Sequence, residues 1–128
     1  MIYLDTSVLL AHLLAEDRQP PVGIWSEPIV SSRLLEYEAW TRINALGLGK
    51  SHRAVAEGAM ARIAFLELNR HVLARATEAF PKPVRTLDAL HLASMDFLRH
   101  RGQRLRLATY DTRLAEAASQ LDFQLLSL

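Results

Sequence analysis

Apolar positions along the chain fall into two patterns that alternate: short continuous runs, and longer stretches with helical spacing. Met1 to Leu4 is a run of the first kind ending at Asp5, and Val8 to Leu14 is a stretch of the second kind, so a strand and then a helix are expected. A loop rich in Pro20, Pro21 and Gly23 interrupts. Pro28 then precedes Ile29-Val30, a short strand that ends in Ser31-Ser32, residues suited to cap a helix. That helix should run from about Arg33 to Leu46 and stop near Gly47 and Gly49. Ser51 can start another, through Ala64, followed by a third strand from Phe65 to Leu68 and a helix from His71 to Ala79. Pro81 and Pro83 form a rigid break. Thr86 is placed to cap a helix reaching about His100, which Gly102 ends. A fourth strand from Leu105 to Ala108, a helix from Thr112 to Ser119 and a last strand from Phe123 to Leu126 complete the order. Strands that are apolar throughout, alternating with helices, imply an α/β fold: a mostly parallel sheet of four to five strands, covered by helices on both faces.

Size and composition narrow this picture. At 128 residues the chain has the length of one domain, with no internal repeat or linker, and enough residues to bury roughly two-thirds of its unfolded surface. Cysteine is absent, so a metal here must use oxygen or imidazole ligands, and a reducing compartment is permitted. No apolar run is long enough to cross a membrane and no signal peptide stands at the start, so a cytoplasmic protein is expected. The net charge of +1 gives no global argument for a nucleic-acid partner. All of the fifteen basic residues except Lys50 and Lys82 are arginine. Arg99, Arg101, Arg104 and Arg106 crowd one segment with His100, which reads either as a phosphate-contacting patch or as a solvated turn.

The candidate chemistry lies in four acids. In open parallel sheets ligands bind beyond the carboxyl ends of the strands, and Asp5 and Asp111 each follow a strand there and precede a helix. Taken singly, each is also a plausible helix N-cap. Glu38 falls inside the apolar arc of its helix among Leu34, Leu35, Ala45 and Leu46, so it needs a cation, either a metal or Arg42 one turn later; Glu36 belongs to the surface. Asp88 sits in the first turn of a helix that is apolar on nearly all sides, a position the helix dipole favours and one that points an acid into a cleft or the core. If the sheet is doubly wound, the four converge at one end. Carboxylates gathered so closely hold extra protons unless a divalent cation neutralises them, and an all-oxygen set selects a hard ion such as Mg²⁺ or Mn²⁺.

Four segments, in this order, carry a resemblance. Ile2-Tyr3-Leu4-Asp5-Thr6-Ser7, Ser32 with Glu38-Ala39-Trp40-Thr41-Arg42, Thr86 to Ala93, and Ala108-Thr109-Tyr110-Asp111-Thr112-Arg113-Leu114 resemble the PIN domain, in particular the VapC toxins of type II toxin–antitoxin pairs. The resemblance implies a PIN-like three-layer α/β/α fold and an endoribonuclease dependent on Mg²⁺ or Mn²⁺, held inactive by a cognate antitoxin protein and commonly dimeric. It carries Asp5 and Asp88 over as the main metal ligands, with Glu38 and Asp111 direct or acting through water. Thr6, Ser7 and Thr109 resemble the hydroxyl residues that hydrogen-bond the acids or the attacking water.

Around these, His91 reads as a buried neutral imidazole with a satisfied nitrogen rather than a ligand, and Asp96 lies outside the site. Trp25, Trp40 and Phe97 read as core or interface rather than as base-stacking platforms. Arg33, Arg85 and Arg113 are near the acids in sequence and are candidates for RNA contacts. Ile24-Trp25 and the segment from Val55 to Phe65 are expected to be exposed and open to the antitoxin. Two other functions fit a similar sheet: a phosphotransfer domain with Asp5 as nucleophile, or a degenerate PIN-type binding module. Against the first, Ser7 stands where a haloacid-dehalogenase-type enzyme has its second acid, and no lysine follows Lys82. Against the second, all four acids are present.

Overall fold

A computed structural model describes residues 1–128. Its elements are β1 (Ile2–Leu4), α1 (Thr6–Leu13), a 3₁₀ turn (Val22–Ser26), β2 (Ile29–Ser32), α2 (Arg33–Ala45), α3 (Arg53–Met60), β3 (Ile63–Leu66), α4 (Arg70–Ala76), α5 (Thr86–His100), β4 (Arg106–Ala108), α6 (Thr112–Gln120) and β5 (Gln124–Leu125). The five strands form one sheet in the order β3-β2-β1-β4-β5. Every pairing is parallel, with Ile2 opposite Ile29 on one side and Arg106 on the other.

Strand alternation divides the core. Ile2 and Leu4 of β1 point to one face, where they join Val8, Leu9 and Leu13 of α1, Leu35, Ala39 and Ile43 of α2, and Ala56 and Met60 of α3. Tyr3 points to the other face and joins Leu92 and Met95 of α5 with Leu114, Ala117 and Ala118 of α6. Residues 2–4 are fully buried, so the central strand is apolar on both sides, and the layers are helix, sheet, helix. From β1 the chain builds outward through β2 to β3, then crosses back to lay β4 on the opposite side of β1. The gap beyond the carboxyl ends of β1 and β4 is the switch point at which such sheets bind ligands.

Several boundaries differ from the sequence reading. The helix expected from Ser51 through Ala64 spans only Arg53–Met60, and the third strand is Ile63–Leu66 rather than Phe65 to Leu68. Pairing with β2, which sets Ile29 against Ile63 and Ser32 against Leu66, claims residues whose local pattern also suited a helix. Helix α4 starts earlier than expected because Asn69 caps it, accepting from the backbone N–H groups of His71 and Val72. Thr86 is the first residue of α5 and not its cap; Arg85 holds the cap position without a side-chain cap bond. Gly47 follows α2 with a φ of +72°, the left-handed geometry expected there, which Gly49 does not adopt, and Gly102 ends α5 with a φ of +85°.

Candidate active site

Asp5 and Asp111 take the helix-cap role that either could fill alone, and both still face the cleft. Asp5 begins α1 with its Oδ2, which accepts from the Ser7 backbone N–H at 3.4 Å, from Ser7 Oγ at 2.6 Å and from Thr109 Oγ1 at 2.7 Å. Its Oδ1 takes no protein hydrogen bond. Asp111 caps α6 with Oδ1, which accepts from the backbone of Arg113 at 2.9 Å and of Leu114 at 3.3 Å, while Oδ2 accepts from Arg85 at 3.3 Å. Thr109 also accepts from the Asp111 backbone N–H at 2.9 Å, so one hydroxyl ties the end of β4 to both acids.

Asp88, on the first turn of the buried α5, accepts from Arg85 at 3.4 Å through Oδ2 alone. Glu38, on α2, uses Oε1 to accept from Thr6 Oγ1 at 2.9 Å and from His91 Nε2 at 2.7 Å. Of the two cations open to Glu38, a metal or Arg42, Arg42 lines the cleft without pairing to it, and the protein partners of Oε1 are Thr6 and His91. Thr6 and Ser7 thus each hold an acid.

All four acids line one cleft of about 610 Å³, together with Thr6, Ser7, Arg42, Arg85 and His91. A larger hollow of about 660 Å³, between α4 and α5, is mainly apolar and contains none of them. Burial pushes the Asp88 carboxyl above the ordinary carboxylate range, and the charges of Asp111 and Asp5 push it further, against the opposing pull of Arg85.

Of the other candidates, Arg85 bridges Asp88 and Asp111 within the cleft. Arg113 borders an adjoining hollow with Arg85 and Asp88. Arg33 lies apart, paired to Glu36 at 2.6 Å and Glu67 at 3.0 Å. The basic segment after α5 is also distant: Arg106 opens β4 at the end of the sheet opposite the acids and pairs with Glu27. Arg99 is held by Asp96 and lies over Phe123, and Arg101 lies over Phe97. Asp96 is outside the site, bound to Arg75 at 3.0 Å. Ile24, expected at the surface, is buried in the core, and Trp25 and Trp40 pack against that same core. Within the segment from Val55 to Phe65, Ala56, Ala59, Met60 and Ile63 are buried and only Val55 is an exposed large apolar residue.

Whether these residues suit a divalent cation turns on their oxygens. Asp5, Glu38 and Asp88 each commit one oxygen to the protein and leave the other without a protein partner, in a cleft whose chain has no cysteine sulfur to offer. That donor set fits a hard cation. The acids are not drawn together into a ready cluster: no three of them stand close enough to hold an ion as they are, and Arg85 occupies the space between Asp88 and Asp111.

A parallel α/β domain with a carboxylate-lined cleft at its switch point has its acids where such sheets bind their ligands. Residues 2–120 match the PIN domain family. The chain is similar to Ribonuclease VapC46 of Mycobacterium tuberculosis, 35% identical over 124 residues that cover 94% of this chain and 92% of that protein. It is also similar to Ribonuclease VapC35 of the same species, 31% identical over 129 residues with the same two coverages. The chain belongs to the VapC ribonucleases of the PIN-domain family.

Proposed function

We propose that this chain is the toxin of a toxin–antitoxin pair, an endoribonuclease that hydrolyses RNA phosphodiester bonds at the cleft of Asp5, Glu38, Asp88 and Asp111. The observation that carries the reading is the division of labour within three of the carboxylates, one oxygen held by protein donors and one free toward a shared cleft. Asp5 and Asp88 are the residues to hold Mg²⁺ or Mn²⁺, with Glu38 and Asp111 completing the site directly or through water.

When bound, such an ion activates water and stabilises the charge that develops on the phosphoryl oxygens. The chain's own residues do the rest. Ser7 and Thr109 hold one oxygen of Asp5, and Thr6 holds one oxygen of Glu38, which leaves the second oxygen of each acid free. Glu38 or Asp111 takes the proton from the attacking water as its oxygen bonds to phosphorus. The P–O bond opposite then breaks, and the leaving ribose oxygen is protonated from solvent. Arg42, Arg85 and Arg113 ring the acids and are the cations to receive the RNA backbone.

The whole span 1–128 acts as one PIN unit, commonly as a homodimer in the cytoplasm, and a cognate antitoxin silences it by covering the acidic groove. No helix is long and apolar enough to cross a membrane.

Purified protein incubated with total bacterial RNA and Mn²⁺ should cleave it. Chelator should stop cleavage, and so should Asp5→Ala and Asp88→Asn in proteins shown to be folded. Cleavage that survives both substitutions places the chemistry elsewhere; a folded wild type with no Mn²⁺ binding by calorimetry and no cleavage identifies a degenerate binding module.

A further inference from the structure

Glu38 is the one acid of the four whose orientation depends on a side chain from the opposite side of the sheet. His91 is 2% exposed, three residues beyond Asp88 on α5. Its Nε2 lies 2.7 Å from Glu38 Oε1, and its Nδ1 lies 2.8 Å from the hydroxyl of Tyr3, which is itself fully buried. The Tyr3 and His91 rings meet edge to face, with centroids 5.9 Å apart and planes at 85°.

The hydrogens in this chain follow from the end groups. A carboxylate only accepts, so Nε2 carries the hydrogen and donates to Glu38. Nδ1 faces the Tyr3 hydroxyl at 2.8 Å, so the ring is gripped at both nitrogens and its orientation is fixed.

A leucine at position 91 would fill the apolar helix about as well. Packing alone does not call for a histidine whose far nitrogen ends on an acid of the cleft. The three residues joined here come from β1, α5 and α2, and these elements also carry or abut Asp5, Asp88 and Glu38.

We infer that His91, oriented by Tyr3, is the positioning residue for Glu38: its Nε2–H holds Oε1 and thereby aims Oε2 into the cleft at a fixed distance from Asp88. This rests on the proposed role of the four acids, and the experiment separates the two. Mn²⁺ affinity by calorimetry, kcat and KM on one RNA substrate, and melting temperature are measured for wild type, His91→Leu, His91→Gln, Glu38→Gln and the Glu38→Gln/His91→Leu double variant.

In folded His91→Leu, kcat and Mn²⁺ affinity should fall by roughly 10- to 100-fold, the usual effect of losing a hydrogen bond behind a metal ligand, with KM for RNA unchanged. His91→Gln restores a donor near Nε2 and should recover most of the loss. In the Glu38→Gln background His91→Leu should add nothing, because the group it acts through has already been altered.

Unchanged kcat and Mn²⁺ affinity in folded His91→Leu, or the same loss with and without Glu38→Gln, overturns the inference. If His91→Leu does not fold, Tyr3→Phe removes only one hydroxyl and answers the same question by the same readouts. Should Glu38→Gln itself change neither cleavage nor Mn²⁺ binding, the reading of the cleft fails first and takes this inference with it.

Discussion

Asp88 illustrates at the scale of one residue what the cleft costs the fold. Its carboxyl is raised above the ordinary range first by burial and then by the charges of Asp111 and Asp5. The folded state therefore keeps this proton at pH values where the unfolded chain has released it. The native state binds more protons across that window, so stability falls as pH rises from the ordinary carboxylate range through the raised value. At neutral pH the ionised Asp88 is a liability that the metal-free protein carries. Asp88→Asn removes the charge while keeping the shape and an acceptor for Arg85. Without divalent ions, calorimetry at neutral pH should find Asp88→Asn melting above wild type, the gap closing as pH drops through the raised value. An equal or lower melting temperature at neutral pH would show that Arg85 already compensates the charge. Cleavage should be lost in the same variant, so the substitution trades function for stability.

At the scale of elements, Asp111 holds two roles that substitutions can separate. Its Oδ1 caps α6 and its Oδ2 faces the cleft. Asp111→Asn retains a capping oxygen and should cost little stability, whereas Asp111→Ala leaves the first N–H groups of α6 unanswered at a cost of about 1 kcal/mol. Both should lower cleavage. If the two variants unfold at the same denaturant concentration, the cap is not a source of stability and the acid is held there by the cleft alone.

The same double role explains what the sequence could reveal. Acids following apolar strands were legible, because strand ends and helix starts leave strong local signals. The end of α3 was not, because Ile63 to Leu66 suits a helix or a strand until β2 pairs with it. Glu38 was legible as an acid on an apolar helix face, but its partner was not. Local spacing offers only Arg42, while the donors it uses, Thr6 and His91, are 32 and 53 residues away. His91 could be read as buried with a satisfied nitrogen. Nothing in its neighbours says that its second nitrogen ends on Glu38.

Across the whole molecule, charge is segregated although the total is only +1. The acids gather beyond β1 and β4, and α5 carries the chain away from Asp88 by roughly 16 Å of helix rise before the basic segment beginning at Arg99. That segment is too far along the fold to neutralise the cleft. Arg85 is the one arginine ion-paired with any of the four acids, it reaches only Asp88 and Asp111, and it is largely exposed, so Asp5 and Glu38 have no guanidinium partner. A divalent cation that binds the folded cleft and not the unfolded chain must then stabilise the entire domain by mass action, by about 2.7 kcal/mol at a hundredfold excess over its Kd. For a domain of this size that is a rise on the order of 10 °C in melting temperature. Mn²⁺ or Mg²⁺ should produce such a rise where sodium chloride at matched ionic strength does not, and Asp5→Ala should abolish it. An equal rise in Asp5→Ala would mean that the ion acts on the general field of the surface. No rise at all with millimolar Mn²⁺ would mean that Arg85 holds Asp88 and Asp111 closed against the ion. In that event Arg85→Ala should open the cleft to Mn²⁺ and restore the rise.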